Sequence, residues 1–194
     1  MKWNVGAIAL CLVCGIARAA GPLVGLEFES EKNNNNGITN HALDIVPGWE
    51  FSEKSIINRI ELLIERNQDG RADADGVLAK ENKLFVRLRH DGELTDKLDY
   101  YVRGGIGRSF NNQRSFNYGY VEPGIEYKLT QHFDWTMAIR EINSIDNASG
   151  QHITQLRTGP SVEFGKGNEL EFLYTKSSGD ANLRSWVVEY IHKF

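Results

Sequence analysis

The sequence predicts an all-β fold, an antiparallel barrel of about ten strands that crosses a membrane, with eight or twelve strands as alternatives. Three observations predict it. The chain ends on a stretch that alternates apolar and polar side chains up to Phe194. Nine earlier segments show the same period of two, which is the period of a strand with unlike faces. After the first twenty residues or so, no apolar run approaches the length of a membrane-spanning helix, about 18 residues.

The first residues have the pattern of an export signal. Lys2 precedes an apolar run from Val5 to Ile16, and the run is followed by Ala17-Arg18-Ala19, a small-x-small cleavage pattern. We therefore expect residues 1–19 to be a signal peptide and residues 20–194 to form one barrel domain. Both cysteines of the chain lie in the signal. The exported domain is thus expected to have no disulfide and no thiol chemistry.

The closing stretch has one apolar, aromatic face. The residues on that face are Trp186, Val188, Tyr190 and Phe194. Ser185, Glu189 and Lys193 alternate with them, as expected for a strand that faces lipid on one side only. This pattern resembles the C-terminal strand of bacterial outer-membrane β-barrel proteins, although His192 stands where that family usually has an apolar residue. The resemblance implies that the four residues form an insertion signal read by the barrel-assembly machinery, and that the protein resides in the cell outer membrane.

The other alternating segments fill most of the chain between polar connections. They cover residues 23–31, 42–51, 56–66, 83–90, 98–110, 115–129, 133–142, 154–164 and 168–176. A helix is a rival for the third segment. In the sixth, the apolar positions change from even to odd numbers, which predicts a bulge near Tyr120. The more polar connections, at 33–40, 67–81, 111–114, 146–152 and 177–181, alternate with tighter ones and are expected to face the cell exterior.

Composition and motifs exclude several classes of function. Without the signal, 20 basic residues stand against 26 acidic ones, a balance that argues against nucleic acid as a partner. We expect no cofactor and no metal. Asp69, Asp73 and Asp75 in the longest loop lack the spaced Glu of an EF-hand, so a solvated loop is favoured over a Ca²⁺ site or a Ca²⁺ bridge to lipopolysaccharide.

The charged faces of the strands are expected to line the lumen if the apolar faces meet lipid. One predicted wall is basic and consists of Arg59, Arg87, Arg89, Arg103, Arg140 and Arg157. The other is acidic and consists of Glu27, Glu29, Asp44, Glu50, Glu171 and Glu189. Two such walls resemble the constriction of general porins. The basic wall also resembles small monomeric porins for acidic oligosaccharides, the oligogalacturonate-specific type, which are regarded as having about twelve strands.

The resemblance implies a small porin-like channel for small or acidic solutes. Its implied partners are a small anionic solute, outer-membrane lipids and lipopolysaccharide. Two alternatives stay open. Further inward acids are predicted at Glu61, Glu65, Glu122, Glu126 and Glu163. These acids can pair with the arginines and shut the lumen, which gives a closed structural or adhesion barrel. The second alternative is an outer-membrane lipid or peptide hydrolase. Such an enzyme needs a histidine close to its serine nucleophile, but none of the five histidines lies two residues from a serine.

Overall fold

The structure, a computed structural model, describes residues 19–52, 55–67, 71–72, 78–79, 81–111, 115–146 and 152–194. Its barrel strands are β1 (Ala19–Asn33), β2 (Thr39–Phe51), β3 (Arg59–Asn67), β6 (Glu81–Thr95), β7 (Leu98–Asn111), β8 (Phe116–Lys128), β9 (Phe133–Ser144), β10 (His152–Phe164), β11 (Asn168–Gly179) and β12 (Leu183–Lys193). Two further strands, β4 (Arg71–Ala72) and β5 (Leu78–Ala79), pair only with each other. The predicted signal peptide lies outside the described residues except for Ala19, and stays a prediction.

The ten long strands close into one antiparallel barrel in the order β1-β12-β11-β10-β9-β8-β7-β6-β3-β2. Every strand therefore pairs with its neighbour along the chain of barrel strands, and the first pairs with the last. This confirms the prediction of an all-β, ten-stranded antiparallel barrel. Closure leaves no free sheet edge, so the backbone groups are satisfied within the barrel, as a bilayer requires. No helix in the described ranges is both long enough and apolar enough to span a membrane.

The third predicted segment, for which a helix was the rival, is strand β3. Ile60, Leu62 and Ile64 lie on its outward face, whereas Glu61 and Glu65 are buried on the other face. The period of two requires charged and apolar residues to face opposite sides, which a helix of nine residues cannot achieve with this spacing. The alternation along the segment thus decides its structure.

The barrel has two unlike rims. The terminal rim carries Ala19 and Lys193 together with the tight connections, such as the turn at 165–167, in which Gly165 and Gly167 adopt positive φ. The loop rim carries the connections after β1, β3, β7, β9 and β11, which contain the more polar segments. An even number of strands places both ends of the barrel at one rim.

A continuous belt of apolar side chains covers the outside of the barrel. Met137 and Ile139 are each half exposed, and Trp186 is 62% exposed. The belt also includes Leu26, Phe28, Leu43, Ile45, Leu62, Ile64, Leu84, Val86, Val102, Ile106, Val121, Ile125, Leu156 and Phe172. A contiguous apolar surface of this kind is not stable in water, and in a closed barrel it is the surface that contacts lipid.

The bulge predicted near Tyr120 is wrong. Strand β8 keeps one register with β7 and one with β9 along its length, so its even-numbered residues face inward throughout. Tyr118 and Tyr120 therefore lie inside the barrel, where their rings stack on Phe85 at centroid distances of 5.3 and 5.0 Å. Gly105 and Gly107 of β7 make room, because a side chain at either position would meet the Phe85 ring. Aromatic residues at these positions fill the lumen instead of facing lipid.

Candidate functional site in the barrel lumen

The twelve charged residues named above for the lumen all lie on inward-facing positions of barrel strands. Nine of them are buried, namely Arg59, Arg87, Arg89, Arg103, Arg157, Glu27, Asp44, Glu171 and Glu189. Arg140, Glu29 and Glu50 are half-buried. They do not form one evenly mixed lining. Strand register places eight of the twelve in two rows, an acidic row and a basic row.

The acidic row runs across five neighbouring strands, β11, β12, β1, β2 and β3. Each strand contributes one carboxylate directly opposite the next, in the order Glu171, Glu189, Glu27, Asp44 and Glu65. Like charges placed directly opposite each other destabilise a sheet. The row therefore needs positive charge from elsewhere in the lumen.

The basic row continues around the other half of the barrel. Arg59 of β3 lies opposite Arg89 of β6, which lies opposite Arg103 of β7, which in turn lies opposite Glu122 of β8. On the far side of that carboxylate, Arg140 of β9 donates to it. The row thus holds four guanidinium groups and one carboxylate, so the two rows carry opposite charge.

Arg87 connects the two halves. From β6 its guanidinium donates to Glu61 on the adjacent strand, and it also reaches Glu27 of β1 at 3.2 Å and Glu189 of β12. Strands β1 and β12 are not neighbours of β6, so these bonds cross the lumen. Arg87, Glu61 and Glu189 are each no more than 2% exposed. One arginine therefore neutralises part of the acidic row from the opposite side of the lumen.

Glu122 has the converse role. Its side chain is fully buried and accepts from Arg140, from Arg157 Nη1 at 2.7 Å and from Tyr101 Oη at 3.2 Å. Arg103 Nη1 lies 3.8 Å from it. One carboxylate thus holds three guanidinium groups that would otherwise repel one another.

A third group of charges lies towards the terminal rim. Arg59 Nη2 lies 3.5 Å from Glu50 and 3.6 Å from Glu169. Lys193 contacts the same two carboxylates, at 3.2 and 3.6 Å. The pair between Arg59 of β3 and Glu169 of β11 also spans strands that are not neighbours. The lumen is therefore crossed by charge pairs at more than one level.

Arg89 has partners of its own, different from those of Arg59 and Arg87. It donates to Asp91 at 2.5 Å and to Glu126 at 2.7 Å, and its guanidinium lies 4.4 Å from the centroid of the Tyr101 ring. Hydrogen bonds and a cation–π contact together compensate for its position opposite two other arginines.

Some buried polar atoms of the lumen have no hydrogen-bond partner among the described residues. They include Arg103 Nε, Arg59 Nε, Glu61 Oε1 and Glu189 Oε2. Charged groups of this kind are costly to bury and retain capacity to bind water or a polar solute. The chemistry that the site offers is therefore electrostatic: ion pairing across the lumen, with a basic row beside an acidic one.

The sequence did not predict one lumen residue, Glu169, although it has the same parity as Glu171 and therefore faces the same side of β11.

Of the four residues named for the insertion signal, Trp186, Val188 and Tyr190 lie on the outward face of β12, and Phe194 directly follows the strand. Trp186 is largely exposed, Val188 and Tyr190 are half-buried, and Phe194 is 74% exposed. The Phe194 backbone N–H donates to Pro22 O at 3.1 Å, and its ring meets that of His192 at 4.5 Å. The end of the chain is thus joined to β1 while its aromatic ring remains available on the surface.

Deletion of Phe194 is expected to prevent assembly, because it removes the terminal aromatic ring and the backbone bond that joins the chain end to β1. We expect the truncated chain to be degraded before it reaches the outer membrane. Immunoblots of fractionated cells measure this, with His132→Ala, an exposed turn residue, as the control. A truncated chain at normal surface levels would show that the terminal ring is not read as a signal.

Within the described ranges, no group of three or more His, Cys, Asp or Glu side chains is arranged to hold a metal ion. Asp69, Asp73 and Asp75, weighed above as a Ca²⁺ site, lie outside the described residues. Of the five carboxylates in the acidic row, Glu27 and Glu189 pair with Arg87, and Glu65 pairs with Lys83.

No protein-family model and no curated protein sequence matches the chain. Among solved structures, the β domain of the Bordetella autotransporter BrkA is similar, with a TM-score of 0.58, 13% identity, and coverage of 91% of this chain and 100% of that one. An outer-membrane channel from Pseudomonas putida F1 has a TM-score of 0.57, 9% identity, and coverage of 93% and 97%. The KdgM porin has a TM-score of 0.47 and 11% identity, with coverage of 88% and 99%.

Likeness at these identities shows the fold. The resemblance to outer-membrane β-barrels that the closing strand indicated is confirmed at that level by the first two structures. With its closed sheet and its apolar belt, the chain forms an outer-membrane β-barrel.

Proposed function

We propose that the protein is a closed outer-membrane barrel, whose ion-paired interior locks the strands together and obstructs the lumen, and which acts through the surface that it presents at the loop rim. One observation carries this proposal. Arg87 bonds to Glu27 and Glu189 on strands that are not its neighbours, at a level where the side chains are almost completely buried. An open water channel would leave such side chains accessible to solvent.

The size of the barrel supports the same conclusion. Barrels of about eight strands are filled by their side chains, and barrels of about sixteen hold a water channel. Ten strands lie near the filled end of that range. Here the filling includes apolar residues as well as ion pairs, because Val46, Leu63 and Phe85 form a buried cluster with Tyr118 and Tyr120 packed against it.

Two connections at the loop rim are hydrogen-bonded to each other, as expected for a rim that acts as a fixed surface. Asn182 in the β11–β12 connection accepts from Asn34 at 2.9 Å and donates to Asn35 at 3.0 Å, both in the β1–β2 connection. Asn33 and Asn36 also bond within the latter connection. Two loops that meet across the closing seam are thus held together by amide side chains. This supports a structural or adhesive role for that rim.

A narrow channel for small acidic solutes is the second candidate. The observation that favours it is the convergence of Arg103, Arg140 and Arg157 on a single carboxylate, Glu122. This cluster has a local excess of positive charge, and low-dielectric walls concentrate the field of such charges. Arginine forks suit carboxylate oxygens. A solute would need to enter after the cross-lumen bonds of Arg87 open.

Recording from single molecules of refolded protein in planar bilayers separates the two candidates. For a closed barrel we expect no steady conductance from the wild-type chain. The Arg87→Ser, Arg103→Ser double variant is then expected to unfold at a lower temperature, because buried carboxylates lose their partners. A steady wild-type conductance, shifted towards cations in the double variant, would contradict the closed barrel and favour the channel. Arg66→Ser, on the exposed outward face of β3, is the control.

A further inference from the structure

Three basic residues form one row on the outside of the barrel, across its closing seam. Arg184 of β12 lies directly opposite Lys32 of β1 on one side and Lys176 of β11 on the other. All three side chains are exposed and point outward, on the same face as the apolar belt. We call these residues the seam cations.

No acidic partner of the seam cations is found in the part of the chain that the structure describes. Residues directly opposite each other on a sheet face have Cβ atoms about 4.5–5.5 Å apart, and like charges at that separation are destabilising. Among the residues that the structure describes, neither an ion pair nor a side-chain hydrogen bond is found for any of the three. Each of the six arginines in the lumen, by contrast, has a carboxylate oxygen within 4 Å. This arrangement indicates that the negative charge comes from outside the chain.

Aromatic residues fix the level of the row relative to the membrane. Two residues closer to the middle of the barrel, the same face carries Trp186 on β12 and Tyr174 on β11. They lie opposite each other, with ring centroids 5.1 Å apart. Tryptophan and tyrosine are enriched where hydrocarbon meets the headgroups. One step the other way, the loops carry the hydrogen-bonded Asn34 and Asn182. The seam cations therefore lie at headgroup level on the loop-rim side.

The row is also limited in width. Its neighbours at the same level are Thr39, opposite Lys32 on β2, and Leu156, opposite Lys176 on β10. Neither is charged. The three cations thus form a patch on three adjacent strands. The exposed outward arginines Arg66 of β3 and Arg108 of β7 lie on strands that do not adjoin it.

We propose that the seam cations bind the phosphate groups of a lipopolysaccharide molecule in the outer leaflet. Arg184 presents a planar fork that matches two phosphate oxygens, and the lysines on either side supply point charges. Basic side chains at a lipid surface attract anionic headgroups in this way. The loop rim faces the outer leaflet when the termini are periplasmic. The patch lies outside the barrel, so it does not depend on whether the lumen conducts.

The test compares lipid retention by refolded protein in phosphatidylcholine nanodiscs that contain lipid A carrying two phosphates or lipid A without phosphate. Native mass spectrometry counts the retained lipid. Each basic residue near an anionic surface contributes about a factor of five. The Lys32→Gln, Lys176→Gln, Arg184→Gln variant is therefore expected to retain the phosphorylated lipid about a hundredfold less well than the wild type. Lys97→Gln, Lys166→Gln, which changes two exposed turn lysines at the terminal rim, is expected to retain it normally.

Folding is checked by the migration of heated and unheated samples in gels. If the triple variant does not fold, Arg184→Gln alone is expected to lower retention about fivefold. Equal retention by wild type and by the folded variants would overturn the proposal, and so would equal retention of the two forms of lipid A. Displacement of the lipid by millimolar inorganic pyrophosphate, with no gain in stability from the lipid itself, would also overturn it, because the site would then bind soluble phosphate.

Discussion

Replacement of Glu122 by Gln is expected to lower the free energy of unfolding by about 3–5 kcal/mol, the cost of leaving a buried charge uncompensated. Glu122 is the carboxylate on which Arg103, Arg140 and Arg157 converge, and it is fully buried. Glutamine has the same shape but no charge, so three guanidinium groups would face one another without a counter-ion. Urea titration in lipid vesicles, followed by tryptophan fluorescence, measures the loss.

Glu126→Gln is the matched control for this substitution. Glu126 lies on the same face of β8, is partly exposed, and has one arginine partner, Arg89, which keeps a second carboxylate in Asp91. Exposed pairs contribute about 1 kcal/mol or less, so a small loss is expected. Equal losses of unfolding free energy in the two variants would contradict the prediction that Glu122 stabilises the barrel by compensating three arginines.

The second large effect is expected for Arg87→Met. Methionine fills a similar volume but leaves Glu27, Glu61 and Glu189 without the cation to which all three bond. The expected loss of unfolding free energy at neutral pH is again about 3–5 kcal/mol. Arg108→Met, at an exposed outward position of β7, is the control and is expected to change stability little.

The two variants are expected to respond to pH in different ways. Carboxyl groups can take up protons and lose their charge, whereas guanidinium stays charged at every accessible pH. As the pH falls, the three acids left by Arg87→Met can become neutral, so the stability difference from the wild type should shrink. The arginines left by Glu122→Gln have no such relief, and acid should not restore that variant. Urea titrations at about pH 7 and pH 4 measure both differences. Identical pH behaviour would mean that repulsion among like charges is not the cause.

Much of the fold was predictable because a barrel in a membrane obeys a simple rule. Apolar residues must alternate with residues that face the lumen, so β6 and β12 could be recognised from parity alone. Their ends were less predictable: β6 continues to Thr95, well beyond the predicted end at His90. Its hydrogen bonds with β7 extend past the part that faces lipid, where no apolar alternation is required.

The lumen was harder to predict, because parity gives the side of the sheet on which a residue lies and not the partner that it finds. The change of parity near Tyr120 predicts a bulge, whereas Tyr118 and Tyr120 lie inside the barrel on an unbroken strand. Their inward position depends on Phe85 and on the glycines of β7, which are distant in sequence. The bond from Arg87 to Glu189 likewise depends on closure of the barrel, a property of the whole chain.

The position of Glu27 directly opposite Glu189 has a consequence for the order of assembly. These two residues lie on the first and last strands, so early pairing of the chain ends would bring two carboxylates together with no counter-charge. The guanidinium that relieves their repulsion belongs to Arg87, on a strand in the middle of the chain. Pairing of the two ends is therefore expected to be less favourable before β6 has joined the sheet. Closure between β1 and β12 is thus expected to be favourable only when the strand that carries Arg87 is in place.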